Sequence, residues 1–132
     1  MATRQDELDR VLTRIHQEIP ESDWVALVDG DGLILACVPN LTAVDVDAVS
    51  AMTAATTSLG RRVLSEVAGG DLRYVVVAGS ERQHLCFNLR DGYLISISLK
   101  PEIPAHATFR PLSRWLPNLL SVLEMRLHEE MS

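Results

Sequence analysis

The four residues Asp29-Gly30-Asp31-Gly32 are the first candidates for chemistry, because closely spaced carboxylates can ligate a cation. A calcium loop of the helix–loop–helix type needs further oxygen ligands and a Glu at its twelfth position. Here Leu33-Ile34-Leu35 follow at once, so the four residues read as a hairpin turn: glycine supplies positive φ, and aspartate accepts from nearby amides. His16, His84, His106 and His128 are scattered, without an i, i+4 pair or a cysteine at ligand spacing, and no metal site is expected. Cys37 and Cys86 lie in apolar runs, where a thiolate is disfavoured, and read as buried small hydrophobes in a reducing compartment. A disulfide between them stays open, since a sequence carries no distance. There is no Gly-x-Ser-x-Gly elbow and no glycine-rich phosphate loop, and Gly69-Gly70 follows a helical stretch instead of opening one. No catalytic residue, metal or cofactor is assigned. The expectation is a protein that binds other proteins and is not itself an enzyme.

Residues 5–17 place Leu8, Val11, Leu12 and Ile15 at helical spacing, and Pro20 closes that helix. Two apolar runs, 24–28 and 33–38, flank the turn as a hairpin. Residues 45–67 contain no proline and open with Asp45 and Asp47, which suit a helix N-terminus. Val49, Met52, Thr56, Leu59, Val63 and Val67 share one face of this long helix and are expected to pack on the sheet. Gly60 near that face costs about 1 kcal/mol against Ala, which favours a close approach of helix to sheet. Three strands follow, within 71–78, 84–89 and 93–99, with Asp91-Gly92 as a hairpin signal. Ile95, Ile97 and Leu99 share a face with Tyr93, and Ser96 and Ser98 take the other with Leu94. A proline-bearing loop, 100–111, leads to a last amphipathic helix, 112–130, built on Leu112, Trp115, Leu116, Leu119, Leu120, Leu123 and Leu127, with Pro117 inside it. The order α-β-β-α-β-β-β-α implies an α/β (α+β) fold with a five-stranded antiparallel sheet and helices on its faces.

A length of 132 residues fits a single domain, with a core over 5–99. Hydrophobic residues at 47% and charged residues at 23% are an ordinary globular balance. A net charge of −6 opposes phosphate backbones and acidic lipid surfaces, so neither nucleic acid nor membrane insertion is expected. The N-terminal stretch Met1-Ala2-Thr3-Arg4-Gln5-Asp6-Glu7 carries no apolar signal region, and the working compartment is expected to be the cytoplasm. The triplet Asn40-Leu41-Thr42 is then a chance sequon.

The run Val28-Asp29-Gly30-Asp31-Gly32-Leu33-Ile34, the Ala/Thr/Ser-rich helix 45–67, and Leu72-Arg73-Tyr74-Val75-Val76-Val77 followed by Asp91-Gly92-Tyr93-Leu94-Ile95 together resemble the roadblock/dynein light chain family over roughly residues 5–99. The resemblance implies a homodimer in which sheets join edge to edge and the long helices lie side by side. It implies a small Ras-like GTPase as partner, with activation by reshaping the GTPase's own active site as one mode and assembly of a larger complex as another. No catalytic side chain is carried over.

The residues agree physically with such a dimer. Opposite Val49 and Met52 the long helix carries Ala51, Ala54, Ser58, Arg61 and Ser65, with Arg62 at its edge, and the small members would admit another backbone. Strand 72–78 is apolar along nearly its whole length, so a free edge there invites pairing through Tyr74, Val75 and Val76. Ala51, Ala54, Ser58, Arg61, Arg62, Tyr74, Val75 and Val76 are therefore the expected partner or dimer contacts. Arg61, among small residues, is the better interface candidate of the two arginines. Two alternatives stand beside this reading. One is a scaffold indifferent to the nucleotide state of its partner. The other is a small-molecule sensor of PAS or GAF type, which needs a pocket between helix and sheet with a few polar groups.

Overall fold

The computed structural model describes residues 2–19, 21–40 and 43–131, excepting the side chains of 43–44 and 125–131. Expectations that rest on Met1, on Pro20, on Leu41 and Thr42 of the sequon, and on the side chains of Leu127 and His128 lie outside the described residues. The elements are α1 (Arg4–Glu18), β1 (Ser22–Val28), β2 (Ile34–Val38), α2 (Ala43–Glu66), β3 (Tyr74–Ala78), β4 (Gln83–Asn88), β5 (Leu94–Leu99) and α3 (Phe109–Met131), with short 3₁₀ turns at Arg90–Gly92 and Ala105–Thr108. This is the expected order of helices and strands, and all four strand pairings are antiparallel, in the order β2-β1-β5-β4-β3.

Local chemistry accounts for the element ends. Thr3 Oγ1 accepts from the Asp6 amide at 3.1 Å and Asp6 Oδ2 accepts from the Thr3 amide at 2.9 Å, a reciprocal capping box on α1. Asp29 Oδ1 accepts from the amides of Asp31 and Leu33 at 2.9 and 3.0 Å, and Gly32 takes φ +86°. The β1–β2 turn is thus closed by its own aspartate, as the residue types require. Pro111 falls in the first turn of α3, where its missing N–H has no intrahelical partner to lose.

The sheet has two unlike faces. Val25, Leu27, Leu85, Ile95, Ile97 and Leu99 are fully buried on one of them. They pack under Leu8, Leu12 and Ile15 of α1 and Leu119 of α3, and this is the main core. The other face lies under α2 and is made of small and hydroxyl-bearing groups. Its register places Cys37, Ala26, Ser96, Cys86 and Val75 in one row across the five strands. Cys37 and Cys86 are separated in that row by β1 and β5, about 14 Å at the usual strand spacing. That distance rules out a disulfide, and both thiols are free.

This second face explains one departure from the sequence pattern. The stripe expected to pack on the sheet does not do so: Met52, Leu59 and Val63 are exposed, and only Val49 of that set is buried on α2 itself. The buried stripe is Val49, Thr53 and Thr57. Thr53 Oγ1 donates to Ser96 Oγ at 3.2 Å, and Thr57 Oγ1 donates to the Thr53 carbonyl at 2.7 Å, so both hydroxyls enter the interior satisfied. A polar, small-residue sheet face takes the threonine side of the helix and turns the more apolar side outward.

Candidate protein interface

Along α2 the outward stripe is continuous in the helical repeat. Met52 is 44% exposed, Leu59 63%, Val63 52% and Val67, one residue past the helix, 67%. A contiguous row of large apolar side chains in water marks a contact surface. Helical spacing alone assigns these residues to the sheet-facing side, and the structure turns them outward. A signal for the correction was in the sequence: the same helix carries a second stripe at helical spacing, Val49, Thr53 and Thr57, that matches the hydroxyl face of Ser96 and Ser98.

One edge of the sheet, at β3, is open. β3 pairs only with β4, so its outer backbone groups are unpartnered among the described residues. Tyr74 and Val77 on β3 are 41% and 53% exposed. Tyr74 turns to the α3 side, where its ring centroid lies 5.1 Å from Phe109 and 5.7 Å from Phe87. Val75 turns to the α2 side and meets Gly60. Val76 is half-buried against the main core.

Ala51, Ala54, Ser58, Arg61 and Arg62 are all exposed on α2. Ala54 lies over the β1–β2 turn, its Cβ 3.7 Å from where a Cβ on Gly32 would stand. Helical spacing places Arg62 beside Leu59, three residues earlier, and Arg61 beside Thr57 and Leu64 on the other flank. Neither arginine has an ion pair among the described residues. The structure thus brings Arg62 to the apolar stripe and leaves Arg61 and Ala54 on the flank nearer the hairpin.

One arrangement imitates catalysis. His84 Nε2 is 2.6 Å from Ser96 Oγ, the spacing of a base on its nucleophile. Ser96 is fully buried, and its oxygen already receives the Thr53 hydroxyl. A substrate has no access to it, and the contact is structural, with the Trp24 ring 5.7 Å from that of His84. Burial holds the His84 pKa below its ordinary value. It raises both cysteine thiols to about 11, with Thr53 and Ser96 pulling Cys86 weakly the other way. No group of three metal-ligating side chains is found among the described residues, and no helix there is long and apolar enough to cross a membrane.

The model of the Roadblock/LC7 domain family matches residues 9–98. No curated protein matches the sequence. Among solved structures, a Roadblock/LC7 domain from Streptomyces avermitilis is similar at TM-score 0.78 and 21% identity, over 88% of this chain and 97% of that one. Myxococcus xanthus MglB is similar at TM-score 0.78 and 10% identity, over 95% and 93%. The gliding protein MglB of Thermus thermophilus is similar at 0.77 and 13%, over 95% and 94%. At these identities the likeness is one of fold.

Proposed function

The chain belongs to the Roadblock/LC7 domain family, and from that premise we propose that it is a cytoplasmic, homodimeric, protein-binding regulator of a small Ras-like GTPase. The observation that carries this reading is the exposed stripe Met52, Leu59 and Val63 on α2 together with the unpartnered β3 edge. In the proposed dimer β3 pairs with its twin, which removes the free edge, and the two α2 helices bury the stripe against each other. An MglB solved with a tetrameric arrangement, at TM-score 0.69 and 18% identity, supports self-association as a property this fold can host.

The mechanism is conformational. The dimer prefers one nucleotide state of the GTPase and shifts its population, by no more than the difference in affinity between states. Activation then means reshaping the GTPase's own active site, since no side chain among the described residues is arranged for the chemistry. Arg62 and Arg61, exposed and without ion pairs among the described residues, are two cations that an acidic switch segment could meet on α2.

Sedimentation tests the dimer. Titration against a Ras-like GTPase carrying GTP analogue or GDP, followed by GTP turnover, tests the regulator. Tighter binding to one state with faster turnover supports an activator. Equal binding to both reduces the chain to a scaffold, and no binding to either removes the GTPase reading.

A further inference from the structure

On the face opposite α2, a cleft of about 410 Å³ opens between α3 and the β3–β4 end of the sheet. It belongs to neither the α2 stripe nor the β3 backbone edge. Its corner is aromatic: Tyr74, Phe87 and Phe109 meet with centroids 5.1 to 5.7 Å apart, and Phe109 stands edge-on to both other rings. Ile95, Leu112 and Leu116 carry the apolar wall onward. The volume lies within the range of ordinary small-molecule sites, about 300–1,000 Å³.

The polar groups are few and unequal. The Asn88 side-chain amide is committed, donating to the Leu72 carbonyl at 3.0 Å. Ser113 offers a hydroxyl at the rim. Arg73 lines the cleft, is exposed, and has no ion pair among the described residues. Among the described residues no carboxylate lines the cleft. On a chain with six more acidic than basic side chains, Arg73, the one basic residue lining this apolar cavity among the described residues, suits an anion from outside. Walls of leucine, isoleucine and phenylalanine hold water poorly, because a confined water needs two or more polar partners. An apolar body entering the cleft gains by leaving water.

We propose that this cleft binds a small amphiphile whose apolar body lies along Phe87, Phe109 and Leu116 and whose carboxylate pairs with Arg73. This does not depend on the GTPase reading. The probe is decanoate, with decanol as the neutral control, titrated by calorimetry or by NMR shifts on the full chain. Decanoate is expected to saturate at one molecule per chain. Arg73→Ala is expected to weaken decanoate about fivefold, as for an exposed ion pair near 1 kcal/mol, and to leave decanol unchanged. Leu116→Trp, which fills the cleft, is expected to abolish both. Absence of saturable binding overturns the proposal. So does an Arg73→Ala chain that binds decanoate as tightly as the parent, or a folded Leu116→Trp chain that keeps its affinity. Where Leu116→Trp does not fold, the Arg73→Ala comparison of decanoate with decanol decides alone, since that position is exposed.

Discussion

Val75 Cγ2 stands 2.7 Å from the point that a Cβ on Gly60 would occupy, and Leu72 Cδ1 stands 3.3 Å from it. The C-terminal third of α2 therefore approaches β3 as closely as a backbone without a side chain allows. Leucine can swing away, but a valine on a strand has little χ1 freedom. Gly60→Ala gains about 1 kcal/mol in helix propensity and loses about 1–3 kcal/mol to overpacking. The expected outcome is a net loss near 1 kcal/mol in denaturant unfolding. A more stable variant would mean that α2 stands off from the sheet.

Ser96 is the joint between α2 and the sheet, bonded to Thr53 on one side and His84 on the other. Ser96→Ala leaves a buried threonine hydroxyl and a half-buried imidazole without this partner. A cost of about 1–3 kcal/mol is expected. Thr53→Val, which removes one donor and keeps the shape, should cost less. Equal and negligible losses in both would show that the joint contributes nothing.

The same joint sets a pH dependence. Burial lowers the folded-state pKa of His84, so between that value and the unfolded value near 6.5 the unfolded chain binds more protons. The sign follows: the His84 contribution is whole above about pH 6.5 and is lost as pH falls below it toward the folded pKa. Denaturant unfolding at a series of pH values from neutral to acid, compared with His84→Gln, should show a shallower decline in the variant. Parallel curves would place the decline on other groups.

Both cysteines should resist thiol reagents in the folded state. Burial raises each pKa to about 11, so at pH 8 the thiolate is scarce as well as covered. The expected result is no rapid labelling in native buffer and two thiols per chain in denaturant, with no disulfide formed on oxidation. Fast native labelling of Cys37 would show that β2 opens locally.

The architecture was legible wherever the signal is local. Asp29-Gly30-Asp31-Gly32 read as a turn because its own carboxylate closes it. Ile95 and Ile97 against Ser96 and Ser98 announced one apolar and one polar sheet face before any pairing was known. The facing of α2 was not legible. Helical spacing reveals that Met52, Leu59 and Val63 share a stripe, but not whether a sheet or water meets it. That depends on Ser96 receiving Thr53, a contact 43 residues away in the chain. The pairing of β1 with β5, Val25 opposite Ile97, is equally remote, and so is the cleft, whose walls come from α1, α3 and three strands.

The interface itself can be separated from its neighbours by charge. Val63→Glu places a carboxylate in the exposed stripe, and Ser58→Glu places one among the small residues on another side of the same helix. Both positions are exposed, so each folded monomer should keep its circular dichroism and its stability within about 0.5 kcal/mol. If the stripe is the dimer contact, Val63→Glu should weaken self-association about thirtyfold, the effect of losing a contact worth about 2 kcal/mol. Ser58→Glu should then dissociate the dimer far less. The reverse order in sedimentation would move the contact to Ala51, Ala54 and Ser58. Dimers unaffected by both would leave the β3 edge as the whole joint. In that case Ala78→Pro, at an exposed position whose N–H lies on the side of β3 away from β4, becomes the variant that separates the protomers.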